Sequence, residues 1–166
     1  FYPLTNLFGG GTWARILHPY IGVFMAFFFV LMFLRFRMLN AMTKADKEWL
    51  SRVGEMVDGD DHNMPEQGKY NGGQKAMFWA SVVCMVLLLV SGVLIWRAQF
   101  APPIGLVRFG AVVHAVAAVA MIALILIHAY AAIWVRGTIR AMWYGTVTRA
   151  WAKQHHRAWY REMTGK

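Results

Sequence analysis

The sequence has few of the residues that a soluble enzyme needs. Only 15% of its 166 residues are charged, whereas 58% are hydrophobic. The single cysteine excludes an internal disulfide, a four-cysteine iron–sulfur cluster and a structural zinc site, and no Cys-x-x-Cys-His motif would attach a c-type haem. Glycine-rich phosphate loops and paired catalytic carboxylates are missing as well. The composition is typical of a membrane protein.

Three apolar runs are long enough to cross a bilayer as helices, at 14–37, 76–96 and 107–134. We therefore predict an all-α membrane protein, in which residues 1–166 form a single transmembrane helix bundle. A loop at 38–75 and a tail at 135–166 lie outside these spans. Because the chain starts at Phe1 rather than Met, with no targeting segment before the first run, we also expect an N-terminal truncation.

The distribution of basic residues predicts the orientation. Of the 17 lysines and arginines, only Arg15, Arg97 and Arg108 flank the spans on the side where the first span begins. Since positive charge is enriched on the cytoplasmic side, the loop 38–75 and the tail are predicted to be cytoplasmic. The tail interleaves tryptophan and tyrosine with arginine and lysine, which suits lipid headgroups better than RNA. We therefore predict a lipid environment and no nucleic-acid partner.

The cytoplasmic loop contains an amphipathic helix in this interpretation, capped by Thr43. It carries an apolar stripe formed by Trp49, Leu50, Val53, Met56 and Val57. Such a helix either lies on the bilayer or on a partner, or it covers the bundle. His62, in the turn-rich segment that follows, is expected to be solvated.

Three histidines, His18, His114 and His128, lie inside the predicted spans, where an ionisable group is a functional hypothesis by default. His114 and His128 are 14 residues apart, so they lie within about 40° of one another and about 21 Å apart along one helix. His18 and His114 are near the same end of their spans and can ligate one b-type haem. Two imidazoles leave the iron no open site for oxygen, so such a haem carries electrons.

His128 lies near the cytoplasmic end of the third span, where no other span supplies a histidine. A helix preceding Phe1 would supply its partner, giving two haems and four spans in the intact protein. Alternatively His128 contacts a quinone or is a structural histidine. His155 and His156, in the basic tail, are less favoured as axial ligands.

The sequence resembles the cytochrome b556 gamma subunits of membrane-bound formate dehydrogenases. The resemblance covers nearly the whole chain and rests on the helix carrying His114 and His128 and on the segments ARILHPYIG, GKYNGGQK, SGVLIWR and WAKQHHRAWYRE. It implies that His18 and His114 ligate a periplasmic-side haem b and that His128 ligates a cytoplasmic-side haem b. The family's first spanning helix, which carries the other ligand of that second haem, is absent here. Cytochromes of related hydrogenases and reductases share the histidine plan and are the alternative.

By the same resemblance, Asn71, Gly73 and Gln74, with His128, border a menaquinone or ubiquinone site. The residues themselves allow this, because a helix begins here and its first backbone N–H groups, including those of Gly72 and Gly73, can donate to a quinone. The alternative is a plain turn before a helix, with Asn71 or Gly72 at positive φ.

The predicted function is electron transfer and membrane anchoring in the bacterial inner membrane. By resemblance, the partners are an iron–sulfur beta subunit and a catalytic alpha subunit with molybdenum or tungsten. Electrons from formate would reach a quinone near the cytoplasmic side, with protons drawn through the loop carrying Glu66, Lys69 and Lys75. The chain would not itself oxidise formate. An anchor without haem is the second hypothesis.

Overall fold

A computed structural model describes residue 6 and residues 9–58, 64–96 and 100–165. In these ranges the regular structure is entirely helical, which confirms the all-α prediction. The helices are α1 (Gly11–Phe36), α2 (Lys44–Ser51), α3 (Val53–Val57), α4 (Gly72–Ile95), α5 (Ile104–Trp134), α6 (Thr138–Tyr144), α7 (Arg149–His155) and α8 (Arg157–Thr164). His62 and Arg97 lie outside the described residues, as do the side chain of Met56 and the last residue, Lys166.

Helices α1, α4 and α5 are long and apolar enough to cross a membrane, with mean hydropathies of 2.1, 2.6 and 2.6 in their most apolar windows. Their outward side chains are apolar, as at Phe24 (67% exposed) and Ile133 (70% exposed). A continuous apolar surface of this kind is stable in lipid and would aggregate in water.

Each long helix begins three or four residues before the apolar run from which it was predicted. Helix α5 starts directly after Pro103, whose carbonyl accepts hydrogen bonds from the N–H groups of Leu106 and Val107. Proline suits this position because its missing N–H would have no partner at a helix start. An apolar run therefore marks the membrane-embedded part of a helix rather than its ends.

Contacts within the chain group the described residues into two units, residues of 1–35 with 82–121 and residues of 36–81 with 122–166. The first unit consists of α1, the second half of α4 and the first half of α5. The second unit contains the short helices and the remaining halves of α4 and α5. Each unit contains one part of the candidate site.

In the second unit, α2 is fixed at its start and by one buried ion pair. Thr43 forms a reciprocal capping box with Asp46, which confirms the predicted cap. Asp46 also accepts a 2.7 Å hydrogen bond from the Lys75 ammonium of α4, and the two side chains are only 2% and 9% exposed. Burial alone raises the pKa of Asp46, but the hydrogen bonds from Lys75 and Thr43 outweigh it and hold the pKa below its usual value.

The predicted amphipathic helix is interrupted at Arg52, so its apolar stripe is divided between α2 and α3. Trp49 is buried, whereas Val57 is 58% exposed. Since the Asp46–Lys75 pair attaches α2 to the first turns of α4 within one unit, the helix covers part of the bundle, as one of the two interpretations predicted.

The Asp46→Asn substitution removes the charge opposite Lys75 and leaves a buried ammonium without its counter-ion. We expect the free energy of unfolding at neutral pH to fall by about 3 kcal/mol, because breaking one side of a buried ion pair leaves the other charge uncompensated. An unfolding titration of the detergent-solubilised protein measures the loss. Glu48→Gln, on an exposed position of the same helix, is the matched control. Equal effects of the two substitutions would contradict a stabilising role for the pair.

Candidate functional site

His18 of α1 and His114 of α5 meet in the first unit. Their ring centres are 6.0 Å apart and their planes are nearly perpendicular, at 82°. Two metal–nitrogen bonds of about 2 Å, plus about 1 Å from each nitrogen to its ring centre, require about 6 Å between two rings that share one metal ion. The pair therefore fits bis-imidazole ligation of one iron, and the structure brings together the two histidines predicted to share a haem.

Contacts with the end of α4 hold both histidine-bearing helices in place, through a ring contact for α1 and through a close backbone approach for α5. Two residues after His18, Tyr20 packs edge-to-face on Trp96 at the end of α4, with ring centres 5.4 Å apart. On α5, a Cβ added to Gly110 would lie only 3.0 Å from Cβ of Leu94, so α4 and α5 approach closely here because residue 110 has no side chain. This close approach holds the His114 backbone against α4.

His128 belongs to the second unit, where it lines a cavity of about 820 Å³. Asn71, Gly73 and Gln74, predicted to border a quinone site, line the same cavity, and Trp49 of α2 contributes to its wall. The volume is within the range of small-molecule and cofactor pockets, which combine mostly apolar walls with a few polar groups. The structure thus brings together every residue predicted for this part of the site.

Asn71 and Gln74 cap the start of α4 reciprocally. The Asn71 side-chain oxygen accepts from the Gln74 backbone N–H at 2.9 Å, and the Gln74 side-chain oxygen accepts from the Asn71 backbone N–H at 3.0 Å. Both side-chain oxygens are thereby engaged. Among the described residues no acceptor is assigned to either side-chain NH2 group, so both can donate to a ligand.

The two glycines after Asn71 differ in what their N–H groups can do. The Gly72 N–H donates to the side-chain oxygen of Gln67 at 2.9 Å, so it is not available as predicted. The Gly73 N–H has no protein acceptor within the described residues. Because Gly73 lines the cavity, this group is a backbone donor at a helix N-terminus that a bound ligand can use.

The alternative interpretation, a plain turn with positive φ at Asn71 or Gly72, is wrong about the backbone, since neither residue has a positive φ. Their neighbours explain the glycines instead. A Cβ on Gly72 would lie 2.6 Å from the Asp46 carbonyl oxygen, and a Cβ on Gly73 would lie 2.9 Å from the Trp49 ring. The Gly-Gly pair therefore allows α2 to pack directly on the start of α4.

The C-terminal tail supplies cavity residues that the sequence did not predict as such. Trp151, His155, His156 and Arg157 line the cavity together with His128. The Trp151 indole N–H donates to the Arg136 carbonyl at 2.8 Å. This contact requires glycine at 137, which has φ of +94° and where a Cβ would lie 2.8 Å from the Trp151 ring. No sequence signal shows that the tail folds back on the end of α5.

Gln67 links the tail to the start of α4. Its carbonyl oxygen accepts from the backbone N–H groups of Ala158 and Trp159 in α8, while its side chain holds the Gly72 N–H. Gln67 is only 3% exposed. It was not predicted as a site residue, although it directly precedes the GKYNGGQK segment.

His156 fastens the tail to the same loop. Its Nδ1–H donates to the Gly68 carbonyl at 2.7 Å, and its ring lies against Trp151 with ring centres 5.1 Å apart. Burial lowers the pKa of His156 below its ordinary value, the Gly68 hydrogen bond partly offsets this, and the neighbouring His155 lowers it further. His156 is therefore docked in its neutral form.

A helical membrane chain that brings two imidazoles within reach of one iron has the architecture of a b-type cytochrome. The model of the prokaryotic cytochrome b561 family matches residues 2–145. The formate dehydrogenase cytochrome b556(fdo) subunit of Escherichia coli K12 is 47% identical over 162 residues, which are 96% of this chain and 76% of that protein. The nitrate-inducible b556(Fdn) subunit of the same strain is 44% identical, with 96% and 75% covered.

A third relative, the formate dehydrogenase cytochrome b556 subunit of Haemophilus influenzae, is 40% identical over 161 residues, with 96% of this chain and 68% of that protein covered. The chain belongs to the prokaryotic cytochrome b561 family. It is a multi-pass membrane protein, and haem b is the cofactor that membership implies.

The lowered pKa of His156 predicts that acid weakens tail docking. Below its ordinary value of 6.5, an undocked His156 binds a proton that the docked residue does not, so stability is lost as the pH falls from there to the lowered pKa. We expect hydrogen-exchange protection factors in α7 and α8 to decrease between about pH 7.5 and about pH 5.5. His156→Gln keeps an amide donor for the Gly68 carbonyl but cannot titrate. In this variant the protection factors of α7 and α8 should therefore not vary with pH over this range. An identical pH dependence in that variant would contradict the assignment.

Proposed function

We propose that this chain is the electron-transfer and membrane-anchoring subunit of a formate dehydrogenase, and that it passes electrons to a quinone near the cytoplasmic side of the inner membrane. The observation that carries the proposal is the His18–His114 pair, whose 6.0 Å ring separation matches one shared iron. The names of the three relatives support formate as the electron source. Its partners would be an iron–sulfur subunit and a catalytic subunit with molybdenum or tungsten, because no catalytic residues for formate oxidation occur in this chain.

Haem b, when bound, supplies one-electron transfer without an open coordination site. His18 and His114 would hold one such haem through their imidazoles. His128 would be an axial ligand of a second, since it lies 14 residues beyond His114 on the continuous helix α5. No other histidine of the described spanning helices lies at that depth, so the ligand expected from a preceding helix stays a prediction.

The cavity beside His128 has the features that a menaquinone or ubiquinone headgroup needs. A quinone carbonyl requires hydrogen-bond donors, which the Gly73 N–H and the Asn71 side-chain NH2 can supply. Trp49 offers a flat apolar wall on the side of Gly73, since its ring lies 2.9 Å from where a Gly73 Cβ would be. The positive end of α4 favours the negative charge that the quinone oxygens gain on reduction.

Of the three residues expected on a proton route, Lys75 is the least suitable. It is buried and held by Asp46 at 2.7 Å, and it does not line the cavity. Glu66 lines the cavity, is exposed, and forms an ion pair with Arg161 of α8. Lys69 does not line the cavity either, but it is exposed and lies three residues after Glu66. We therefore propose that protons reach the quinone from the side of Glu66 and Lys69, while Lys75 holds the cavity wall in place.

The positive-inside distribution of basic residues supports a cytoplasmic location for this cavity and a periplasmic one for the His18–His114 pair. Electrons would then move inward against a negative-inside potential, which costs about 2.3 kcal/mol per charge for every 100 mV. A strongly reducing donor such as formate can drive this transfer.

The first test of the proposal counts haem in histidine variants of the full-length protein in its complex. We expect His18→Ala and His114→Ala each to lose the same single haem, because each removes one of its two axial ligands. His128→Ala should retain that haem in a form that formate still reduces, while electron transfer to quinone is lost. Haem stoichiometry, reduced-minus-oxidised spectra and quinone-reduction rates measure these outcomes.

An unchanged haem count in His18→Ala would refute the pairing with His114. Quinone reduction retained by His128→Ala would refute the proposed route. A complex that contains no haem at all, although it is folded and fully loaded, would favour the membrane anchor without haem.

Gly73→Ala tests the quinone cavity separately from the haem ligands. The added methyl group would lie 2.9 Å from the Trp49 ring, and Trp49 is only 6% exposed, so this part of the cavity wall must shift. We expect the KM for a soluble quinone to rise about tenfold, because a displacement of about 1 Å in a site can cost up to about a hundredfold. Steady-state kinetics with formate as donor measure it.

The matched control is Gly54→Ala, since a Cβ at Gly54 meets no atom within 4 Å. The haem spectrum should be unchanged in both variants, which separates a local effect on the cavity from misfolding. If Gly73→Ala leaves the KM unchanged, the quinone lies elsewhere.

A further inference from the structure

We propose that Ser91 of α4 is a positioning residue for the haem ligand His114: its hydroxyl accepts the Nδ1–H of the imidazole, directs Nε2 toward the iron and lowers the reduction potential of the haem. The proposal rests on the ligation by His18 and His114 proposed above. It concerns a serine that has no assigned role in the electron-transfer function.

The position of Ser91 is unusual for a hydroxyl in a spanning helix. The residue is 1% exposed, and its Oγ lies 3.0 Å from Nδ1 of His114 on the neighbouring helix. Its Oγ also contacts the carbonyl oxygens of Leu87 and Leu88, one turn earlier in α4. All polar partners of this hydroxyl are therefore inside the protein.

Proton counting determines the direction of the bond to His114. A serine hydroxyl has one hydrogen and two lone pairs, whereas a carbonyl oxygen can only accept. The Ser91 hydrogen must therefore point to the carbonyl of Leu87 or Leu88. The remaining contact, with Nδ1 of His114, is then one in which Nδ1–H donates and Ser91 Oγ accepts.

This direction fixes the tautomer of His114. A neutral imidazole with its hydrogen on Nδ1 carries its free lone pair on Nε2, which is the form that binds a metal through Nε2. The orientation of the ring agrees, because a Cβ on Gly92 would lie 3.5 Å from Cε1 and 3.8 Å from Nδ1 of His114. The Nδ1–Cε1 edge thus faces α4, and Ser91 with Gly92 holds the ring by that edge.

The same hydrogen bond has an electronic consequence. An Nδ1–H that donates to an oxygen makes the imidazole a stronger electron donor to its metal, which favours ferric over ferrous iron. The effect is larger in an apolar surrounding, and here the acceptor is itself polarised by donating to a carbonyl. Ser91 would therefore keep the haem at the entry of the electron path more reducing than an unsupported histidine pair.

The competing explanation is that Ser91 merely satisfies its own hydroxyl within the helix. Ser81, on the same helix, does this, since its Oγ donates to the Met77 carbonyl at 2.9 Å. Within the described residues Ser81 has no histidine partner. It is therefore a matched control that loses the same kind of intrahelical bond.

The test compares Ser91→Ala, Ser91→Thr and Ser81→Ala in the full-length protein in its complex. For Ser91→Ala we expect the ratio of reduced to oxidised haem at a fixed ambient potential to rise about tenfold, which corresponds to about 59 mV for a one-electron couple. Redox titration of the haem held by His18 and His114 measures it. The electron paramagnetic resonance spectrum of this low-spin ferric haem should shift as well. Ser91→Thr, which keeps the hydroxyl, and Ser81→Ala should resemble the original protein.

Loss of only this haem in Ser91→Ala, with its recovery in Ser91→Thr, would also support positioning by the hydroxyl. An unchanged potential and spectrum with the haem retained would overturn the proposal, as would a loss that threonine does not restore. His114→Ala separates the two hypotheses. If that variant keeps the haem, the ligation itself is wrong; if it loses the haem while Ser91→Ala behaves as the original protein, only the role of Ser91 is wrong.

Discussion

Backbone hydrogen bonding in a lipid environment is the constraint on which the rest of the molecule depends. Hydrocarbon offers no partner for an N–H or C=O group, so the spanning segments pair these groups internally as helices. Once helical, residues recur at about 100° intervals. His114, Gly110 and Ala117 of α5 consequently lie within one stripe, where the absence of a side chain at Gly110 lets α4 approach closely one turn before His114. The position of His114 against α4 thus follows from the helical backbone that the lipid environment requires.

The same constraint explains why the cavity lies at a helix end. The first N–H groups of a helix have no partner within it, so side chains must supply acceptors there. At the start of α4, the Gln67 side chain accepts from the Gly72 N–H and the Asn71 side chain from the Gln74 N–H, while no residue in the described part of the chain accepts from the Gly73 N–H. Because Gly73 lines the cavity together with residues of α2 and of the tail, this remaining donor is available to a ligand there.

The parts predictable from the sequence are those fixed by periodicity and by a few side chains with restricted roles. The three spanning helices and the His18–His114 pairing followed from apolar length and from the depth of each histidine, and Asn71, Gly73, Gln74 and His128 do line one cavity. The features that could not be predicted from the sequence depend on contacts between distant segments. The docking of the tail rests on two hydrogen bonds, from the Trp151 indole N–H to the Arg136 carbonyl and from the His156 Nδ1–H to the Gly68 carbonyl, and neither leaves a periodic signal in the sequence.

The glycines after Asn71 show why one sequence pattern can have two structural explanations. A Gly-Gly pair before a helix is compatible with two demands that look the same in sequence: a backbone with positive φ, or a surface without Cβ atoms. Here the second applies, since Gly72 and Gly73 lie against the Asp46 carbonyl and the Trp49 ring. The Asp46–Lys75 ion pair, which joins residues 29 positions apart, holds α2 against α4 and so favours a surface without Cβ atoms here. The buried Asp46–Lys75 pair therefore contributes to the shape of the cavity, although neither of its residues lines the cavity.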